Sequence, residues 1–152
     1  MIRRAREDDW EGVRALWHEV DDLHARLAPG YFRRTVRGAS EWRELLVAGD
    51  AALFVAEEGG QLAGVVSVRV YETPPDPAMV PLRRGHVEML VVGEAHRRRG
   101  LGSQLMEEVT RWSRRQGAAE LVLTVWAGNR AAAAFYERLG FGELSRVLSA
   151  KL

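Results

Sequence analysis

The chain is 152 residues long with 47% hydrophobic residues, enough for one domain (residues 1–152) with a proper core. Its 22 basic and 21 acidic residues nearly cancel and are interspersed, whereas a nucleic-acid binder needs segregated positive charge. There is no cysteine, which removes the thiol of a thioester-linked acyl-enzyme; with no signal peptide and no apolar run of membrane-spanning length, a cytoplasmic protein is expected.

Met1 to Arg6 reads as a first strand, and Glu7-Asp8-Asp9 leads into a helix over Trp10–Val20. A second helical stretch covers Asp22–Leu27 and stops at Pro29-Gly30; another covers Ser40–Ala48 with Ser40 as N-cap. Ala51–Glu57 and Leu62–Tyr71 read as strands joined by a Gly59-Gly60 hairpin turn. In the second strand Val66, Val68 and Val70 share a face opposite Ser67, Arg69 and Tyr71. Thr73–Pro81 holds four of the five prolines and is irregular, either as a stiff pocket wall or as an exposed connector. His86–Val92 is a strand in which period-two alternation places His86, Glu88, Leu90 and Val92 on one face. A helix follows over Gly102–Gln116, with Leu105, Val109 and Trp112 on one side, and then a strand over Leu121–Trp126. Asn129 caps a short helix that Gly140 ends, and Leu144–Lys151 reads as a last strand. Alternating strands and helices predict an α/β fold with helices on both faces of a sheet.

The stretch His96-Arg97-Arg98-Arg99-Gly100-Leu101-Gly102-Ser103 follows a strand and opens a helix. Glycines let backbone N–H groups approach a ligand, and the helix N-terminus adds unpaired donors and partial positive charge. Together they suit a pyrophosphate. A P-loop is absent, since the only lysine is Lys151, and Leu105 stands where a Rossmann fingerprint needs its third glycine. The spacing Arg97-x-x-Gly100-x-Gly102 resembles the Q/R-x-x-G-x-G/A signature of the GNAT superfamily, the GCN5-related N-acetyltransferases. Beginning 27 residues after Gly102, Asn129-Arg130-Ala131-Ala132-Ala133-Ala134-Phe135-Tyr136-Glu137-Arg138-Leu139-Gly140-Phe141 is similar to the N-x-x-A-x-x-F-Y-x-x-x-G-F segment of the same enzymes. The resemblance covers residues 50 to 145 well and the N-terminal third loosely.

What it implies is a GNAT fold with a mixed, partly antiparallel central sheet, acetyl-CoA as cosubstrate without a metal, and a small-molecule or peptide amine as acceptor. Neither nucleic acid nor membrane is an implied partner, and a homodimer is a family tendency. The diphosphate would lie on Arg97, Arg98, Arg99, Gly100, Leu101, Gly102 and Ser103. The main chain of Leu90, Val91 and Val92 would pair with pantetheine, and Asn129 would contact CoA as well as capping its helix. Two departures stand out: Glu94 where the family often has proline, and Arg98 where it often has glycine.

Transfer to an amine needs a group to take the amine's proton, donors for the oxyanion and an acid for the departing thiolate. Tyr136 matches the family tyrosine near the thioester sulfur; its plainer role is packing beside Phe135. Glu88 is the candidate base, because burial would raise its pKa into a useful range. His86 is an alternative base, and Glu88 as a rim carboxylate paired with Arg69 or Arg84 is another reading. Trp126 ends its strand where it can line an acceptor pocket. His18-Glu19-Val20-Asp21-Asp22 lacks the second histidine of the zinc motif H-E-x-x-H, so no metal is expected there. The predicted activity is direct acetyl transfer from acetyl-CoA to a primary amine in a ternary complex. Its rivals are a non-catalytic acyl-CoA-binding module on the same fold and a phosphate or nucleic-acid binder using Arg97, Arg98, Arg99, Arg111, Arg114 and Arg115.

Overall fold

Two valine- and alanine-rich runs joined by two glycines build the centre of the molecule. In the computed structural model, which describes residues 1–152, β2 (Ala51–Glu58) and β3 (Gln61–Glu72) form a hairpin across Gly59 and Gly60. Both glycines have positive φ, 56° and 77°, the backbone a tight hairpin turn demands. β1 (Ile2–Arg4) pairs with β2 and β4 (Arg83–Val92) with β3, all antiparallel; β5 (Glu120–Val122) lies parallel to β4. The five strands therefore follow one another in chain order across a mixed sheet. The parallel step from β4 to β5 needs a crossover, which α3 (Leu101–Arg115) supplies.

Both faces are covered, as the alternating pattern predicts. On one face Val13, Leu16 and Trp17 of α1 (Trp10–Leu27) and Trp42 of α2 (Ala39–Val47) bury against Leu53, Val55, Val65 and Val91. On the other, Leu105, Met106, Val109 and Trp112 of α3 pack on Phe54, Val66, Val68, Val70 and Val87. α4 (Arg130–Arg138) adds Phe135 and Tyr136 at the margin of that second layer. Each large apolar side chain so buried contributes about 1.5–3 kcal/mol. The start of the chain is tied down by Arg3, whose guanidinium donates twice to Asp9 at 2.8 Å while the Arg6 amide donates to the same carboxylate at 2.7 Å. Arg3 first, then the Arg6 amide, hold the Asp9 carboxyl below its ordinary range despite its burial. No helix is long and apolar enough to cross a membrane.

Several expected boundaries move. α1 runs unbroken to Leu27, because no glycine or proline interrupts Val20-Asp21-Asp22 and those aspartates pair outward with Arg37 at 2.8 Å and Arg34 at 3.0 Å. Ser40 is not an N-cap; the chain enters α2 through extended Gly38, and Ser40 lies inside the first turn. Thr73–Pro81 is irregular as expected, its neck closed by the Thr73 amide on the Leu82 carbonyl at 2.8 Å and its tip, Met79 and Val80, exposed. It precedes β4, whereas the glycine-rich turn follows it, so the two lie at opposite ends of that strand. β5 stops at Val122, not Trp126, and Leu144–Lys151 forms no strand at all. Neither has a full ladder: β5 meets β4 over three residue pairs only, and the C-terminal segment makes no backbone–backbone hydrogen bond.

One irregularity in β4 governs the site. Ser67 pairs with Met89 but Val68 pairs with Val87, so Glu88 is an extra residue, a β-bulge. The expected single face of His86, Glu88, Leu90 and Val92 is therefore split. His86 is the cross-strand partner of Arg69, which Glu88 also reaches, whereas Leu90 and Val92 pack with the α3 layer.

Candidate active site

The turn after β4 is shaped for an anion. Gly93 hydrogen-bonds the Ala63 carbonyl at 2.9 Å and so ends the ladder. Arg98 and Gly100 then take left-handed backbone, φ 63° and 80°, which is costly for arginine and free for glycine. That conformation gives a physical reason why glycine suits the position of Arg98. α3 begins at Leu101 with no side-chain cap, and its first intrahelical bond runs from Gln104 to the Gly100 carbonyl at 3.1 Å. The amides of Leu101, Gly102 and Ser103 are thus the unpaired donors of a helix N-terminus. A Cβ on Gly102 would lie 3.1 Å from Phe135 Cζ and 3.7 Å from Val92 Cγ2, so glycine here lets β4, α3 and α4 converge.

The arginines around this turn are unequal. Arg97 Nε donates to the Val92 carbonyl at 3.0 Å, and its Nη2 lies 3.7 Å from Glu19. Glu19 also accepts from the Glu94 amide at 3.2 Å, which fixes the turn against α1. Arg99 pairs with Glu58 at 3.3 Å, beside His96, whose Nδ1 is 2.9 Å from the same carboxylate. His96 foremost, with Arg99, holds Glu58 below the ordinary carboxylate range. Arg98, half of the departure noted above, projects from the turn with no acidic partner.

Beside the cradle the sheet is open. β4 and β5 are joined only at Arg84↔Glu120, Gly85↔Leu121 and His86↔Val122. Beyond them the sole backbone bond of residues 123–126 is the Trp126 carbonyl accepting from Asn129 at 2.8 Å. Because Gly93 and Ala63 form a hydrogen-bonded pair, antiparallel alternation turns the main-chain groups of Val91 toward β3 and those of Leu90 and Val92 toward the gap. The expectation that Val91 would offer its main chain there is corrected on this ground: β3 already takes it.

The two rims of the gap carry different chemistry. On the α3–α4 face Tyr136 sits edge-on to Phe135 and Phe141, ring centroids 5.1 and 5.5 Å away. Burial alone pushes its phenol up to about 12, so the hydroxyl stays protonated at any physiological pH. Asn129 caps α4, its side chain accepting from the Ala132 amide at 3.1 Å. On the α1 face Glu88 accepts from Arg69 Nε at 3.3 Å, and Arg69 also binds Asp50 at 2.6 Å. The burial expected of Glu88 is not found: 33% of its side chain is exposed, because the bulge carries it out of the layered core. Of the two partners foreseen for it Arg69 is the one; Arg84 pairs with Glu120 instead, at 2.6 Å.

Trp126 stands at the end of the gap in a cluster the sequence does not announce. Its ring is 4.7 Å from that of Phe32 and 5.2 Å from that of Tyr31, and Phe32 stacks on His24 at 4.8 Å. Burial lowers the His24 pKa, favouring the neutral ring. The signal available was Tyr31-Phe32 directly behind Pro29-Gly30, two aromatics where a connector needs none. Glu19 and Glu58 were equally unforeseen, since their partners lie 75 and 41 residues away.

A family model described as the acetyltransferase (GNAT) family matches residues 15–141. An N-alpha-acetyltransferase of Sulfurisphaera tokodaii is 32% identical over 98 residues, 62% of this chain and 59% of that protein. N-acetyltransferase family 8 member 3 of Mus musculus is 31% identical over 99 residues, 65% of this chain and 42% of that protein. The chain thus spans well under two thirds of the curated relatives it matches. Among solved structures, a mutant Bacillus halodurans protein superposes with a TM-score of 0.95 at 22% identity, covering all of this chain and 99% of that one. The aminoglycoside N-acetyltransferase AAC(6')-Iy in complex with CoA superposes at 0.78 and 21% identity, over 100% of this chain and 98% of that one.

Proposed function

The chain belongs to the acetyltransferase (GNAT) family, and on that premise we propose that it is an N-acetyltransferase that moves the acetyl group of acetyl-CoA to a primary amine by direct attack in a ternary complex. The observation that carries this reading is the gap between β4 and residues 123–126, with an anion cradle and Tyr136 on one face and Glu88 and Trp126 on the other. Two reactants can meet there from opposite sides of the sheet. The uncapped amides of α3, the left-handed Gly100 and the unpartnered Arg98 fit a diphosphate.

Acetyl-CoA supplies an activated acyl thioester. The amides of Leu101, Gly102 and Ser103, with Arg97, Arg98 and Arg99 around Gly100, hold the diphosphate. Leu90 and the Val92 amide extend their free main-chain groups along the pantetheine arm, the Val92 carbonyl being held by Arg97 Nε, and an amide of this edge polarises the thioester carbonyl. Val91 supports the same edge from the β3 side, and Asn129 fixes the start of α4 next to it. The Tyr136 hydroxyl delivers its proton to the departing sulfur. Glu88 draws the cationic amine to the gap and receives its proton, with His86 on the same face as the rival acceptor. Tyr31, Phe32 and Trp126 form the acceptor's apolar wall, which suits a small molecule or peptide amine with an apolar or aromatic body.

The test is a panel of amines assayed for free CoA release, alongside calorimetry with CoA at moderate salt. Expected are CoA binding that survives the salt and turnover with at least one amine class. CoA binding without turnover on any amine would make the chain a binding module, and binding lost to salt would sink the cradle itself.

A further inference from the structure

We propose that His96 and Glu58 are positioning residues of the cradle: they hold Arg99 until CoA binds, whereupon Arg99 passes to the diphosphate and His96 takes up a proton to keep Glu58. The inference rests on the diphosphate site of the proposed function and adds a proton to its binding equilibrium. Its origin is one oxygen atom with two donors. Arg99 Nη1 lies 3.3 Å from Glu58 Oε2, and His96 Nδ1 lies 2.9 Å from the same atom. Glu58 ends β2 beside the hairpin glycines, whereas both donors stand in the turn that leads into α3.

The two donors are not equivalent. His96 is the fixed one: its side chain is only 23% exposed, its amide donates to the Gly93 carbonyl at 2.8 Å, and a Cβ on Gly93 would lie 3.7 Å from its ring carbon Cδ2. Arg99 is the movable one. Its side chain is 58% exposed, its contact with Glu58 is long, and it precedes left-handed Gly100, where the uncapped amides of α3 begin. An arginine offered a diphosphate gains paired charge-assisted bonds that one bond to a partly exposed carboxylate does not match. A guanidinium that turns to the diphosphate leaves Glu58 to His96 alone.

That departure changes which form of the imidazole is favoured. His96 foremost, with Arg99, holds the Glu58 carboxyl below the ordinary range, so it is anionic wherever histidine titrates and can only accept. Nδ1 therefore carries the hydrogen of the shared bond, and an added proton goes to Nε2. Before binding, Arg99 supplies positive charge beside Glu58; afterwards an imidazolium supplies it, and the diphosphate adds further negative charge. The surroundings act in the same direction. The groove that His96 lines also carries Arg3, Asp8, Asp9, Glu19, Glu57 and Glu94. Arg3 is committed to Asp9 and Glu57. Arg97 and Arg98 are the other cations of the turn, and Arg97 lies 3.7 Å from Glu19, which leaves Asp8 and Glu94 without a basic partner.

Calorimetry with CoA at pH 7, in two phosphate-free buffers of different ionisation enthalpy, counts the protons taken up on binding. The unmodified chain should take up a measurable fraction of a proton more than His96→Gln, whose side chain can still donate to Glu58. The 3′-phosphate of CoA also titrates, with a second pKa of about 6, but equally in both proteins. Lowering the pH from 8 to 6 should tighten binding roughly fivefold more in the unmodified chain than in His96→Gln. Glu58→Gln, on a different element, should bind CoA about two- to fivefold more tightly at pH 8 because it frees Arg99 beforehand, and should take up less proton. Equal proton uptake by the unmodified chain and His96→Gln, or weaker binding by Glu58→Gln, would overturn the inference and leave the cradle standing. No CoA binding by the unmodified chain would sink the acetyl-CoA reading, and the inference with it.

Discussion

Gly102 is where the geometry of the cradle can be challenged most directly. A Cβ at this position meets Phe135 Cζ at 3.1 Å and Cε2 at 3.3 Å, distances at which the ring must yield by a few tenths of an ångström. Gly102→Ala therefore sets a helix-propensity gain of about 1 kcal/mol against overpacking of about 1–3 kcal/mol. At about 2–4 °C per kcal/mol for a domain of this size, Tm should fall by a few degrees or stay level. Gly102→Val adds methyl groups at the helix N-terminus, where the unpaired amides lie. Loss of two charge-assisted hydrogen bonds, each about 1.5–3 kcal/mol, lowers CoA affinity by more than a hundredfold at about 1.4 kcal/mol per tenfold.

Calorimetry with CoA and a thermal melt on the same samples separate the two effects. Adding Phe135→Leu to Gly102→Val makes room for the β-carbon and should restore part of the Tm while leaving the affinity low. If the double variant binds CoA as the unmodified chain does, the glycine serves only the docking of α4. Undiminished affinity in Gly102→Val alone would refute the cradle altogether.

Tyr136→Phe keeps the ring against Phe135 and Phe141 and removes only the hydroxyl, so kcat should fall by roughly a hundredfold with KM for acetyl-CoA little changed; activity within about threefold would mean that the phenol is structural. In pH profiles of kcat/KM for the amine, Glu88→Gln should abolish or move the acidic limb if Glu88 is the base, whereas a limb that survives there and vanishes in His86→Gln assigns it to His86. Asp9→Asn should cost about 1–3 kcal/mol near neutrality, because it leaves the Arg3 fork without its bidentate acceptor. The Asp9 pKa is depressed in the folded chain, so its contribution is present above the ordinary carboxyl range near 4 and is lost as pH falls through the folded value. The melting difference between the two proteins should therefore shrink in acid, and a constant difference would show that the pair is not what the substitution removes.

The parts legible from sequence are those set by local rules. Hairpin glycines, the valine alternation of β3 and the Asn129 cap need only near neighbours, and each lies where the pattern puts it. What escaped depends on a partner strand. The bulge at Glu88 is defined by the register of β3, so period-two counting along β4 alone carries His86 and Glu88 to the wrong face. β5 and the C-terminal segment have strand-like sequences, but a strand exists only where another chain segment accepts its hydrogen bonds. The aromatic group of Tyr31, Phe32 and Trp126 joins residues almost a hundred positions apart, which no local spacing encodes.

The bulge also explains why the two halves of the site lie on different sides of the sheet. With unbroken alternation, Glu88 would point into the layer of Leu90, Phe135 and Tyr136, so amine and thioester would compete for one crowded pocket beneath α4. One inserted residue turns Glu88 toward Arg69 and Asp50, on the face that α1 and α2 cover. Extra length and local twist in β4 also draw it away from β5 soon after His86, since a bulge bends the strand that carries it. Leu90 and Val92 are then left with main-chain groups that no strand satisfies, next to helix amides that no side chain caps. Unpaired donors of this kind are normally costly, and here they follow one another from the edge of β4 into the first turn of α3. On the proposed reading, this single irregularity places Glu88 on the face opposite Tyr136, so that amine and thioester approach from different sides of the sheet.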